Sequence, residues 1–436
     1  MAATKLRNVR SRLRRRLIRW SAFAAAVALG WPGSSEGPPE CAAVVLPALS
    51  PFVALGSALS IRSVGILALL ALPLFLLAWS VRCGFCRFAC PVGLLQDTLT
   101  SLRSVRRRHW IGAPAIGPCL LIATATGAVL GHPLFLWLDP LALFAAWLNA
   151  WRTPIAWIAV AGGLGLPALL IVELFWPGLW CARICPLGAG QRMLWQGHRL
   201  VVRLIRGRMH YAGPETSCGA DSSGTVLLAR RSRRHFLAAG AGVVGAAVCR
   251  GAYGPSTPLR PPGAASEEQF GGLCVRCGNC ARVCPSRIIH PDVAGRWSAW
   301  MAPRLDFTHD YCREDCHRCN AVCPSGAIAR LSLAEKSRRV IGLARLDPDT
   351  CLMALGRECN ACVRVCPYKA IAVDNTLDPF SPRPRVDLDR CNGCGACESV
   401  CPTRPERAMR VRPVDRETGD QAETQGAFFG AFWFEG

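Results

Sequence analysis

Several chemistries are missing from this 436-residue chain. It has no Cys-x-x-Cys-His site for attaching haem, since CREDCH at Cys312–His317 has the wrong spacing. No Gly-x-Gly-x-x-Gly turn for a dinucleotide is read, and no catalytic triad. No kinase, DNA-binding or output segment appears either, which removes a redox sensor with a signalling domain. Acid is scarce in the first half: residues 1–235 hold 26 basic and 7 acidic side chains, so most of the net charge of +22 sits there. A basic chain suggests nucleic acid, but these charges interrupt apolar stretches, as basic loops beside membrane helices do. A nucleic-acid partner is therefore not expected.

Cysteine, by contrast, is abundant, at 25 residues. Sixteen of them fall between Cys274 and Cys401 in four runs that each end in Cys-Pro: CVRCGNCARVCP, CREDCHRCNAVCP, CLMALGRECNACVRVCP and CNGCGACESVCP. Each is close to the CxxCxxCxxxCP pattern that holds a [4Fe-4S] cluster in bacterial ferredoxins, where the Cys before Pro ligates the neighbouring cluster. The ligand sets are Cys274, Cys277, Cys280 and Cys284; Cys312, Cys316, Cys319 and Cys323; Cys351, Cys359, Cys362 and Cys366; and Cys391, Cys394, Cys397 and Cys401. The second and third runs are stretched before the CxxCxxxCP core, where a loop can lengthen without moving the other three thiolates. Disulfides or zinc are the competing readings, but neither explains four triplets each followed by Cys-Pro. The runs are expected to pair, either sequentially or as first with fourth and second with third.

The first half is read as membrane. Mean hydropathy is positive, at +0.25. Residues 61–80, 113–131 and 154–178 are each long enough to cross a bilayer core. Residues 17–31 follow a dense arginine run and are either a cleaved signal peptide or, as preferred here, a first helix. Four helices then place every basic loop in the cytoplasm. Five more cysteines lie on those loops: Cys83, Cys86 and Cys90 in RCGFCRFACPVG, and Cys181 and Cys185 in WCARICPLG. They sit in an internal repeat of helix, then LSPFVAL (Leu49–Leu55) or LDPLALF (Leu138–Phe144), then helix, then CxxxCP. Two CxxxCP half-sites supply four thiolates, enough for one cluster. Cys86, Cys90, Cys181 and Cys185 have matching spacing, which leaves Cys83 a spare or an alternative to Cys86. Cys41, Cys119, Cys218 and Cys249 fit no motif and read as packing residues.

Between the halves, Ser232–Leu237 (SRRHFL) reads as a twin-arginine export signal before a fifth helix, which makes the export machinery an expected partner. A basic patch before an ordinary helix is the plainer alternative. Residues 250–268 form a Pro- and Gly-rich linker. The expected domains are thus 1–210, a four-helix membrane domain; 211–268, linker, signal and fifth helix; 269–410, an α+β polyferredoxin domain; and 411–436, a tail ending AFFGAFWFEG. That tail either docks on a membrane or partner or packs back on the chain.

With these motifs in hand, the chain resembles a fusion of two ferredoxin-type proteins of periplasmic nitrate reduction, NapH and NapG, with their methylamine-utilisation relatives such as MauM. The NapH-like likeness covers residues 17 to about 210, through four helices and two Cys-Pro motifs. The NapG-like likeness covers residues 230 to about 410, through the twin-arginine start, Arg260–Ala264 (RPPGA) and the four runs. CGFCRFACP departs from the family's usual CGWxCP by an insertion and a third Cys. The resemblance implies an inner-membrane module with a cytoplasmic first cluster and a periplasmic ferredoxin domain. Such a module takes electrons from quinol in the quinone pool and passes them to a periplasmic reductase or dehydrogenase, without a substrate-reducing site of its own. A maturation or reactivation factor for a periplasmic metalloenzyme is the alternative. His132 and Asp139, beside Trp137, are candidates for a quinol site, or else ordinary loop residues.

Overall fold

In a computed structural model, residues 2–31, 42–102, 115–151, 160, 162–206, 226–251, 257–293, 297–375 and 382–414 are described. They form two compact units, one of residues 1–253, 263–304 and 317–331, the other of residues 254–262, 305–316 and 332–436.

The first unit is helical: α1 (Ala2–Gly30), α2 (Ala42–Ala48), α3 (Pro51–Ile61), α4 (Leu72–Ser80), α5 (Gly84–Phe88), α6 (Pro91–Leu102), α7 (Gly117–Val129), α8 (Pro140–Ala150), α9 (Gly165–Phe175), α10 (Pro186–Arg206) and α11 (Val226–Gly251). Four-residue to seven-residue helices follow: α12 (Glu267–Leu273), α13 (Asn279–Val283) and α14 (Arg318–Ala321). The internal repeat is visible in how helices begin. The Ser50 hydroxyl accepts the Val53 N–H at the start of α3, and Asp139 Oδ2 accepts the Leu141 and Ala142 N–H groups (3.0 and 3.1 Å) at the start of α8. Proline follows each cap, where its missing N–H costs nothing. The two caps also meet, because Ser50 Oγ donates to Asp139 Oδ1 at 2.5 Å. Around them lies one apolar core, with Phe52, Val53, Phe85, Val92, Leu136, Leu141, Phe144, Leu166, Trp180 and Leu187 buried together. Each such side chain contributes about 1.5–3 kcal/mol. Val275 and Cys277, from the first cysteine run, belong to the same core. Asn149 ties that run down by donating to the Cys277 carbonyl (2.7 Å) and to Asn279 Oδ1 (2.8 Å).

The expected membrane domain is overturned: among the described residues no helix is long and apolar enough to cross a membrane. Residues 61–80 do not form one helix. They break at Arg62, whose φ of 57° is left-handed, pass through a 3-10 turn at Ile66–Ala71 and resume as the nine-residue α4. Among the described residues of 113–131 the helix is the thirteen-residue α7, about 20 Å long against a bilayer core of about 30 Å. In residues 154–178 the described helix is α9, with eleven residues. Residues 17–31 continue a helix whose earlier turns carry the arginine run. The fifth helix, α11, is likewise too rich in basic and small residues. A hydropathy window counts apolar residues without seeing where the backbone turns, and so joined short helices into spans. The fold class of a membrane helical domain and the inner-membrane location with a topology built on it are corrected accordingly. The glycine letters of a dinucleotide fingerprint do occur, at Gly240, Gly242 and Gly245, but inside α11 rather than at a strand-to-helix turn.

The second unit is built from loops, the short helices α15 (Leu333–Arg338), α16 (Ala361–Val365) and α17 (Ala396–Val400), and two antiparallel strand pairs. Leu343–Leu346 pairs with Met409–Arg412, Leu346 opposite Met409, and Ile371–Asp374 pairs with Arg383–Val386, Ile371 opposite Val386. Its core joins Ala344, Met353, Ile371, Ala408 and Met409 to cysteines 351, 397 and 401. Glycine is required in the fourth run: Gly395 has φ of 86°, and a Cβ there would stand 2.2 Å from the Phe307 ring.

Candidate iron-sulfur centres

In the second unit each CxxCxxxCP core wraps a short helix, so the backbone delivers its thiols to one side of a loop. Cys391, Cys394 and Cys397 line a partly open pocket with Cys366, among Ala344, Tyr368 and Ile371. Cys351, Cys359 and Cys362 line another with Cys401, beside Leu346 and Met409. Each set thus takes its fourth sulfur from the neighbouring run, and the third and fourth runs pair. Burial in these apolar walls, reinforced by the neighbouring thiols, pushes Cys362 up to about 11 and Cys394 up to about 12, and raises Cys397 as well. Cys401 runs the other way: burial raises it, but hydrogen bonds from Thr403, Met409 and Ala408 outweigh burial and lower it. The Cys312 N–H donates to the Cys394 carbonyl at 2.8 Å, which sets the start of the second run beside the fourth.

In the first unit, Cys277 and Cys280 feel the charges of Cys274 and Cys323, with burial the larger cause of their raised values. The first run's three leading thiols are therefore joined by the second run's last one. The third and fourth runs share two pockets, and Cys323 of the second run lies near the thiols of the first, an arrangement the sequential pairing expects.

The repeat brings four further thiols together in the same unit. Cys86 senses Cys90 and Cys185, and Cys181 senses Cys86, Cys90 and Cys185; burial, the larger cause, raises both well above an ordinary thiol. Burial likewise takes Cys90 to about 11 and Cys185 to about 12, with the Asp139 carboxylate adding to each. The two half-sites match in detail. The Gly93 N–H points at Cys90 Sγ and the Gly188 N–H at Cys185 Sγ, both at 3.4 Å. Gln191 Nε2 donates to Cys86 Sγ at 3.3 Å, and the Cys181 thiol donates to Gln96 Oε1 at 2.6 Å. Cys181 is exposed as a residue, yet its sulfur turns inward onto Gln96. Cys83 precedes α5 in a left-handed conformation, φ 52°, and is buried.

Among the described residues no three His, Cys, Asp or Glu side chains close on a point that a single ion could occupy. Four cysteines lining one largely apolar pocket, twice over, fit a multi-iron group.

Residues 273–353 and 357–404 match the family model of a 4Fe-4S dicluster domain, and residues 63–110 and 158–208 that of a 4Fe-4S binding domain. The chain is similar to the methylamine utilization ferredoxin-type protein MauM of Methylobacillus flagellatus, at 35% identity over 209 residues, 44% of this chain and 84% of that one. It is similar to the ferredoxin-type protein NapG of Escherichia coli K12, at 35% over 227 residues, 48% of this chain and 95% of that one. The chain belongs to the NapG/MauM family of ferredoxin-type proteins. Similarity extends to the ferredoxin-type protein NapF of the same organism, at 30% identity over 147 residues, 34% of this chain and 82% of that one. No solved structure matches. As a NapG/MauM-type protein the chain is an iron-sulfur protein with an electron-transfer role. The first half is matched as a 4Fe-4S binding domain, and the membrane component expected there through the NapH likeness has no support.

The remaining candidates of this NapG/MauM relative lie apart from these pockets. His132 is buried, its Nδ1 donating to the Glu268 carbonyl at 2.5 Å, and Asp139 caps α8. Trp137 lies under the Arg276 guanidinium, 5.0 Å from its ring centre. Ser232–Leu237 lies within α11, with Phe236 and Leu237 exposed. Cys249 is buried and Cys119 half-buried, while Cys41, Cys218 and the tail from residue 415 lie outside the described residues. The sequence reading missed Gln96 and Gln191, although the signal was there: CPVGLLQ and CPLGAGQ place glutamine at the same offset in both repeats.

Proposed function

We propose that this protein is a multi-cluster electron relay that holds five [4Fe-4S] clusters and hands single electrons to an oxidoreductase partner of the kind its relatives serve, methylamine utilization being the one their names print. Four clusters fall to the sixteen cysteines of the C-terminal runs. Three of the ligand sets are Cys274, Cys277, Cys280 and Cys323; Cys351, Cys359, Cys362 and Cys401; and Cys391, Cys394, Cys397 and Cys366. The fifth falls to Cys86, Cys90, Cys181 and Cys185. When bound, such clusters supply one-electron redox chemistry at potentials set by their surroundings.

The chain's own residues hold the thiols in buried to half-buried, largely apolar loops and supply backbone N–H groups to several of the sulfurs. The observation that carries this reading is the meeting of two half-sites about a hundred residues apart, each with the same Gly N–H on the same cysteine. Iron and sulfide analysis with low-temperature EPR of the full chain tests it: about twenty irons are expected, and about sixteen, unchanged in Cys86→Ala, would remove the fifth cluster. Mixing the oxidised protein with a reduced quinol analogue tests the donor. Reduction of any cluster supports the quinol link, and reduction by dithionite alone rules it out.

A further inference from the structure

We infer that Gln96 and Gln191 are a matched pair of positioning residues that cross between the repeats, each giving an amide N–H to a ligand sulfur of the opposite half and so raising the reduction potential of the cluster there; this rests on the fifth-cluster reading above. Both side chains are almost fully buried, at 3% and 2% exposed. Each stands six residues after the Cys of its own Cys-Pro, yet each reaches the first cysteine of the other repeat: Gln191 to Cys86, Gln96 to Cys181. The two contacts differ in one respect. Gln191 offers its Nε2, whereas Gln96 presents Oε1 to a protonated Cys181. The other end of each amide, Gln96 Nε2 and Gln191 Oε1, is buried without a hydrogen-bond partner.

A buried unpaired amide N–H carries a penalty that folding ordinarily avoids. A metal-bound sulfur is a thiolate and can only accept, so Cys181 in the loaded state has no proton to give. A half-turn of the Gln96 amide then places the unpartnered Nε2 on Cys181, and amide O and N are interchangeable in shape. The loaded site becomes symmetric: Cys86 and Cys181 each accept from a glutamine, Cys90 and Cys185 each from a glycine N–H. Donors aimed at ligand sulfurs stabilise the reduced, more negative cluster and raise its potential.

The test is an EPR-monitored redox titration of the full chain, read alongside its iron content. The signal lost in Cys86→Ala identifies the cluster; if none is lost, the cluster reading itself fails, separately from the role of the amides. With the signal identified, Gln96→Met and Gln191→Met are expected to lower its midpoint potential, the double variant by more, with iron content and the other signals unchanged. An unmoved potential in both single variants would overturn the inference. If the methionine variants lose the cluster, Gln96→Leu and Gln191→Leu, smaller, uncharged and without the N–H, decide it. A lower potential supports the tuning role, and loss of the cluster there too makes the amides structural and overturns it.

Discussion

Asp139→Asn should stabilise the protein above pH 6 and lose that advantage on acidification. Asp139 is fully buried, and burial is the main reason its carboxyl is raised from 3.8 to about 6, against the lowering effect of the Ser50 and backbone donors. A folded value above the unfolded one means that ionisation costs stability. The cost is complete above pH 6 and absent below 3.8, and it amounts to about 3 kcal/mol at about 1.4 kcal/mol per unit. Asparagine keeps the shape: its oxygen can accept from Leu141 and Ala142 as Oδ2 does, and its NH2 can face Ser50. The Ser50 hydroxyl then loses its acceptor, a penalty of about 1 kcal/mol. The expected net gain is about 2 kcal/mol at pH 7.5, roughly 4 °C in Tm, narrowing by about 1 kcal/mol at pH 5.5.

Asp139→Ala, equally uncharged but without the cap or the Ser50 contact, should fall below Asp139→Asn by about 2–4 kcal/mol at either pH. Anaerobic calorimetry of the full chain at both pH values measures this. A gap between wild type and Asp139→Asn that does not move with pH, or an Asp139→Ala as stable as Asp139→Asn, would refute the reasoning.

The exchanged ligands make a second prediction: Cys366→Ala should damage the cluster of the fourth run and Cys401→Ala that of the third, readable as loss of different EPR signals. Damage to the run that carries each substitution instead would contradict the exchange. Asn149→Leu removes the donor to Cys277 and Asn279 and should cost about 2–4 kcal/mol, seen as a lower Tm; no change would mean the loop is held by its apolar contacts alone. Gly395→Ala forces a Cβ into the Phe307 ring at a positive φ and should cost at least about 2 kcal/mol, with iron lost from the fourth run. Full iron content and unchanged Tm would count against the tight packing there.

The cysteine runs were legible because a cluster loop is a local object: three ligands within seven residues, then proline, need no distant partner to be recognised. The repeat was legible for the same reason, since Ser50-Pro51 and Asp139-Pro140 announce helix starts and CxxxCP announces half a ligand set. What the sequence could not settle was anything that depends on which loops meet. Both pairings of the four runs satisfy the same spacing, and only the packing of Cys323 beside Cys280, and of Cys366 among Cys391, Cys394 and Cys397, chose between them.

Hydropathy failed for a related reason. It sums apolar residues along the chain, whereas the left-handed Arg62 and the short span of α7 are backbone facts. The glutamine pair lies between these cases. Its offset is written twice in the sequence, but its meaning comes from the crossing of the two repeats, which sets each amide on the other half's sulfur. Local spacing marked the candidate ligands, and tertiary contact decided which of them meet.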